Sequence, residues 1–178
     1  MLSKVFVKAA VYMGIVLFTA SCQEEVITPN VPVTTATQTN GGSNPAAAND
    51  SFFAKVDGVD FQETLLYASD TQTAGSITIT ASENASFPSI GLEFPSDITP
   101  GTYPFSGYLG SYRGLYNLGT NFDQMFYAEG ASGDLVITNH DVAARLVEGT
   151  FSFTAVPVDN TQTTPTYAIT EGAFSVSY

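Results

Sequence analysis

The chain of 178 residues is poor in the residues on which much protein chemistry depends. It has one cysteine, one histidine, no tryptophan and five lysines and arginines against 17 acids. One cysteine cannot form an intramolecular disulfide, and one cysteine with one histidine cannot supply the four ligands typical of zinc. Nucleic acid is excluded as a partner, because its recognition needs clustered lysine and arginine to neutralise phosphates.

Familiar catalytic motifs are also missing. The sequence has no Gly-x-Ser-x-Gly elbow, phosphate-binding loop, dinucleotide fingerprint or Asp-x-Asp-x-Asp-Gly calcium loop. His140 beside Asp141 follows a predicted strand, and such residues are common in turns, so a structural role is favoured over a catalytic pair. We therefore predict no enzyme activity, metal or cofactor. A hydrolase that uses two carboxylates is the alternative, because a sequence does not show which acids face each other across a cleft.

The first 22 residues have the layout of an export signal. Lys4 and Lys8 precede an apolar run over 9–18, and small residues lead to Cys22. An apolar run of about ten residues is typical of a secretory signal and is half the length that spans a bilayer. The sequence Thr19-Ala20-Ser21-Cys22 resembles a bacterial lipobox. This resemblance implies cleavage just before the cysteine, its acylation by a fatty acid such as palmitate, and attachment to a membrane through that lipid, which gives the lone thiol a use.

The residues that follow Cys22 look like a sorting signal and a tether. Gln23-Glu24-Glu25 resembles the acidic export signal of Bacteroidota-type lipoproteins, which implies the outer face of the outer membrane. Residues 26–50 are rich in Thr, Asn, Gly, Ser, Pro and Ala, with too little apolar surface to offset the entropy of ordering. A flexible coil over 23–50 would span roughly 30 Å. We predict a signal peptide at 1–21, a lipidated cysteine and tether at 22–50, and a folded domain at 51–178.

The predicted domain has the alternating pattern of β-strands. The stretch 150–156 places Phe151, Phe153 and Ala155 on one face, and the final residues 173–178 have the same period of two. Asp57-Gly58 between two apolar runs predicts a tight hairpin. No helical period persists, and the pattern indicates about eight to ten short strands. We predict an all-β domain folded as an antiparallel β-sandwich, with a lipocalin-like closed β-barrel as the alternative.

Four short motifs carry a family resemblance. They are Phe53–Val59, Pro100–Tyr103, Gly149–Ala155 and Ile169–Phe174. Together they resemble a family of Bacteroidota outer-membrane lipoproteins with a domain of unknown function, over most of residues 51–178. The resemblance implies a cell-envelope lipoprotein and agrees with the acidic export signal. It implies no catalytic residues.

The most unusual stretch runs from Tyr103 to Tyr127, with eight aromatic residues and four glycines in 25 positions. Most of the aromatics are tyrosines, which tolerate a wet edge and give contact area at low entropy cost. The alternative is that these rings pair across strands in the core, with glycines at the bends. We predict that the segment binds a glycan, a peptide or an envelope protein through Tyr103, Tyr108, Tyr112, Arg113 and Tyr116.

If the domain is a closed barrel, a second function is possible, that of a carrier. A lipocalin-like carrier would hold a small apolar ligand in an interior cavity.

Overall fold

The structure, a computed structural model, describes residues 44–45, 49–71, 74–159 and 161–178. The predicted lipidation site at Cys22 and the export signal at Gln23–Glu25 lie outside these residues. The described elements are strands, apart from one 3-10 turn at Phe122–Gln124. The strands are β1 Asn44–Pro45, β2 Ser51–Val56, β3 Val59–Asp60, β4 Leu65–Thr71, β5 Ser76–Ser82, β6 Ser89–Pro95, β7 Gly101–Pro104, β8 Arg113–Asn117, β9 Met125–Asp141, β10 Leu146–Pro157 and β11 Tyr167–Ser177.

The strands form one curled antiparallel sheet in the order β1-β4-β5-β6-β8-β9-β10-β11-β2-β3, with β7 paired to β9. The rings of Phe94 on β6 and Phe174 on β11 stack with centroids 6.4 Å apart. Four strand spacings separate β6 from β11, which would be about 19 Å in a flat sheet. The two halves therefore face each other as in a sandwich, while the hydrogen-bond ladder continues round the curve as in a barrel. The all-β antiparallel prediction is confirmed.

The core fills the inner side of the curl and is built largely from the last two long strands. Phe151 and Phe153 on β10, and Phe174 and Val176 on β11, are each at most 4% exposed. The alternate residues of β10 from Thr150 to Thr154 are exposed on the other face. The prediction that these two strands pair and face one interior is confirmed.

The predicted hairpin at Asp57-Gly58 is also present. These two residues join β2 to β3, and Val56 pairs with Val59 across the turn. Their φ angles are +50° and +82°, and positive values at both central residues are what a type I′ turn requires. Within the part of the chain that the structure describes, no helix is long and apolar enough to cross a membrane.

Near Phe153 the sheet is deformed by two bulges, one on either side of β10. The pairing of β9 with β10 jumps over residues 129–132, and that of β11 with β10 jumps over Thr170 and Glu171. Ala131 and Glu171 have φ angles of +60° and +52°, in a region that non-glycine residues seldom adopt. Both bulges flank the same part of β10, next to Phe153, so the outer face is uneven there.

Strands β7 and β8 lie in line along one edge of β9. β8 pairs with residues 125–127 of that strand, and β7 pairs with residues 134–137. The chain between them leaves the sheet as a closed loop, 105–112. Ser106 joins the ends of this loop, because its N–H donates to Tyr112 O over 2.9 Å and its Oγ accepts the Tyr112 N–H over 2.9 Å. The loop therefore has a fixed base.

Candidate functional site

The five residues predicted to bind a ligand do not form one surface. Tyr103 and Tyr112 pack against the core, and Tyr116 belongs to it. Arg113 lies on the outer face of β8, where it alternates with buried positions. Tyr108 joins the outer face through a ring contact with Tyr127.

Tyr103 and Tyr112 form a stacked pair that fixes the loop 105–112 to the domain. Their ring centroids are 4.9 Å apart and their planes differ by 22°. The Tyr103 hydroxyl donates to the main-chain oxygen of Thr99 over 2.8 Å. Burial raises the pKa of Tyr112, and the nearby Tyr103 and Asp97 raise it further. The role of this pair is to brace the loop.

Tyr116 is part of the aromatic core and takes no part in an outer surface. Its side chain is 5% exposed. Its ring meets Tyr167 edge to face at 4.9 Å and Phe126 at 6.4 Å. Burial raises the pKa of Tyr116 to about 12, with a further contribution from Tyr167. For Tyr116, the structure therefore agrees with the alternative in which the aromatic rings of residues 103–127 pack in the core.

We expect Tyr116 to make the domain sensitive to alkaline pH. A tyrosine of the unfolded chain ionises near pH 10.0, whereas folded Tyr116 holds its proton to about 12. Its contribution to stability is therefore complete below pH 10.0 and is lost as the pH rises through 12. Raising the pH from about 9 to about 11 should lower the free energy of unfolding of both the wild type and Tyr116→Phe. The decrease should be about 1–2 kcal/mol smaller for Tyr116→Phe, because this variant has no phenol proton at position 116. Urea melts at both pH values test this, and equal losses would place the hydroxyl in water.

An aromatic pair with an arginine at its base forms the outer part of the candidate site. Tyr108 and Tyr127 meet edge to face with centroids 5.9 Å apart. Arg113 Nη1 donates to the main-chain oxygen of Tyr108 over 3.4 Å, and its other terminal nitrogen is paired with Glu93 on β6. The charge of Arg113 is thus used within the domain, where it holds Tyr108 in place.

A groove of about 320 Å³ opens beside this aromatic pair. Its walls come from β9, the end of β10 and the loop after β10, and they are Tyr127, Glu129, Val156, Pro157, Gln162 and Thr163. Tyr127 and Val156 are opposite each other in the sheet register. Sequence reasoning counted Tyr127 in the aromatic stretch but missed its neighbours, because only the pairing of β9 with β10 brings these segments together.

A second groove, of about 440 Å³, lies over the bulge in β11. Its outward-facing walls are Asp134, Val136, Thr150, Ser152, Glu171 and Ala173. The Lys55 ammonium pairs with Glu171 at 2.7 Å, and the hydrogen bond that it donates to the Glu171 carboxylate raises the pKa of Lys55. None of the site residues predicted from the sequence lies here, because the bulge that shapes this groove cannot be recognised from the pattern of adjacent residues.

His140, the single histidine, is tied into the fold. Its Nδ1 lies 2.7 Å from the main-chain oxygen of Ile98, so Nδ1 is the donor. Its Nε2 then accepts from the Tyr178 hydroxyl over 2.8 Å in the neutral ring. The Arg145 guanidinium lies over the Tyr178 ring, 5.0 Å from its centroid. Among the described residues, no three His, Cys, Asp or Glu side chains are grouped so as to hold a metal ion.

Comparison with known proteins gives one match. A family model described as Domain of unknown function (DUF6252) matches residues 48–176. No curated protein and no solved structure matches the chain. The matched span includes every strand from β2 to β10 and nearly all of β11. Because the model covers well over half of the chain, this protein belongs to the DUF6252 family.

Proposed function

We propose that this protein is a lipid-anchored lipoprotein of the bacterial outer membrane, of the Bacteroidota type, and that its β-domain binds a ligand at the cell surface. The anchoring part rests on the lipobox-like sequence that ends at Cys22 and on Gln23-Glu24-Glu25, which resembles an acidic export signal. The binding part rests on one observation of the fold. An aromatic pair, Tyr108 and Tyr127, stands beside a polar-rimmed groove on the outer face.

The arrangement of that groove suits recognition better than catalysis. Half-buried tyrosines provide a rigid apolar surface, and the rim provides hydrogen-bonding groups in Glu129, Gln162 and Thr163. The inner face of the sheet is filled by aromatic and aliphatic side chains. A lipocalin-like carrier would need its cavity there, whereas the 320 Å³ and 440 Å³ grooves open on the outer face.

A hydrolase with two carboxylates is the second candidate, because Asp134 and Glu171 line one groove. A general acid is usually kept protonated by burial, and both of these side chains are exposed. Glu171 is also paired with Lys55 at 2.7 Å. We therefore rank hydrolysis below binding.

Replacing Cys22 by alanine is expected to abolish acylation and release the protein from the membrane fraction. Only a cysteine thiol at this position can form the thioether to the lipid, while the α-amino group that cleavage frees on the same residue takes the amide-linked fatty acid, and the chain has no other cysteine. Intact mass spectrometry and fractionation provide the measurement. Replacing Glu24 and Glu25 by alanine is the control: this protein should still be acylated, but protease added to intact cells should no longer digest its domain. A Cys22→Ala protein that still carries a lipid would contradict the anchor.

Replacing Tyr108 by alanine is expected to weaken ligand binding at least about tenfold while changing the melting temperature little, because the ring lies half-buried at the outer surface. Glycan and peptide arrays probed with the purified protein supply the ligand for this measurement. Tyr67→Ala is the matched control, since Tyr67 is also a half-buried tyrosine but lies on β4, away from the ring contact that joins Tyr108 to the groove residue Tyr127. Equal affinity of the wild type and Tyr108→Ala for the ligand would mean that the aromatic pair is not part of the binding site.

A further inference from the structure

We infer that the ligand is a linear, uncharged oligosaccharide that lies along the outer face of β10 and occupies both grooves. This inference rests on the proposed binding function and adds to it the chemical class of the ligand and a second subsite.

The two grooves lie along the same strand and on the same face. Thr150 and Ser152 line the larger groove, and Val156 lines the smaller one. Thr154 is exposed between them, and the burial of β10 alternates without interruption along this stretch. From Thr150 to Val156 the strand advances about 20 Å. A ligand that reaches both grooves must therefore be an extended chain and not a single small molecule.

The position of β10 in the sheet disfavours an extended peptide as the ligand that reaches both grooves. Peptides that add to a sheet gain affinity from unpaired main-chain groups at an edge. β10 is paired with β9 on one side and β11 on the other. Even at the bulge, Ser132 Oγ donates to the main-chain oxygen of Thr154 over 3.1 Å. The face between the grooves therefore offers side chains and no free main-chain ladder.

The side chains along this path match hydroxyl groups. Serine and threonine hydroxyls both donate and accept, carboxylates accept, and an amide does both. These three kinds of group follow one another along the path, as Asp134, Thr150, Ser152, Thr154, Glu129 and Gln162. A sugar ring has hydroxyls at its rim and C–H groups on its faces, which suit the electron-rich face of a tyrosine such as Tyr127.

The charges near the path favour a neutral ligand. The chain has a formal net charge of −12, which repels phosphates and acidic sugars. Of the three carboxylates that line the grooves, Glu171 is already paired with the Lys55 ammonium at 2.7 Å. Asp134 and Glu129 stand one in each groove, where each can accept hydrogen bonds from hydroxyls. Neutral hydroxyls remain the best match to both grooves.

Isothermal titration of the purified full-length mature protein with defined probes tests the inference. The probes are the linear hexasaccharides of cellulose, xylan, mannan and starch, the corresponding disaccharides, and a neutral proline-rich peptide. We expect at least one hexasaccharide to bind tenfold or more tightly than its disaccharide. Ser152→Arg, which fills the larger groove, and Thr163→Arg, which fills the smaller one, should each weaken the hexasaccharide at least tenfold. Thr71→Arg, at an exposed position of β4, a strand that contributes no wall residue to either groove, should leave it unchanged.

The other outcomes separate this inference from the proposed function. If a hexasaccharide and its disaccharide bind equally and Ser152→Arg has no effect, the extended path is wrong while binding at the smaller groove stands. If only the peptide binds, and Thr163→Arg abolishes it, the glycan class is wrong and the binding function stands. If none of the probes binds, the glycan inference is overturned, and the array screen with Tyr108→Ala decides the binding function separately.

Discussion

Gly133→Ala is expected to destabilise the domain by about 3 kcal/mol or more, because the added methyl group has no space. A Cβ at Gly133 would collide with the main-chain oxygen of Ser152 and would lie 2.8 Å from the Cα of Phe153. These are backbone atoms of the neighbouring strand β10, so no side-chain rotation relieves the collision. The two strands would have to separate directly after the bulge at residues 129–132 of β9.

Gly130→Ala is the matched control, three positions earlier in the same strand. Among the described residues, no heavy atom lies within 4 Å of a Cβ built there. We expect this variant to be neutral, or stabilising by up to about 1 kcal/mol through the lower entropy of the unfolded chain. Urea melts of both variants measure the difference. Equal stabilities would mean that β9 and β10 are not in register at Ser152.

Phe153→Ala is expected to cost about 3–5 kcal/mol, as a large-to-small change in a packed core. The ring is 3% exposed and meets Phe105 edge to face with centroids 5.0 Å apart. It also lies against Gly114 so closely that a Cβ there would be 2.8 Å from the ring. The surrounding backbone is held by sheet hydrogen bonds, so the cavity cannot collapse.

The adjacent residue provides the control for Phe153. Thr154 is exposed on the opposite face of β10, and Thr154→Ala should cost less than about 1 kcal/mol. Thermal and urea unfolding of both variants give the comparison. A loss below about 1 kcal/mol for Phe153→Ala would place that ring at the surface.

The sequence predicted what local pattern controls. The alternation around Phe151 and Phe153 marked a half-buried strand, and Asp57-Gly58 marked its turn, because period and turn chemistry are properties of a few adjacent residues. Strand β8 was not predicted, since its Gly114 and Tyr116 look like parts of a loop. Gly114 is in fact a strand residue whose missing side chain leaves room for Phe153.

The candidate site could be predicted only in part. Tyr108 was named from the density of aromatics, but the same density also named Tyr116, which is in the core. Local sequence does not show on which side of a sheet a tyrosine falls when the strand itself is not recognised. The groove walls at Val156 and Thr163 depend on how β9 and β10 pair, and this is decided by contacts between distant segments.

The in-line arrangement of β7 and β8 makes the loop 105–112 a natural place for grafting. Its two ends are already joined, with Ser106 N–H donating to Tyr112 O over 2.9 Å, and its tip residue Leu109 is 91% exposed. Extra chain at the tip leaves the strand pairing untouched, and doubling a loop adds only about 0.6 kcal/mol of closure entropy. An epitope or a fluorophore-binding peptide introduced at Leu109 would be displayed without disturbing the core, and descendants of this gene can vary the tip at Leu109 while Phe105 and Tyr112 keep the loop on the same scaffold.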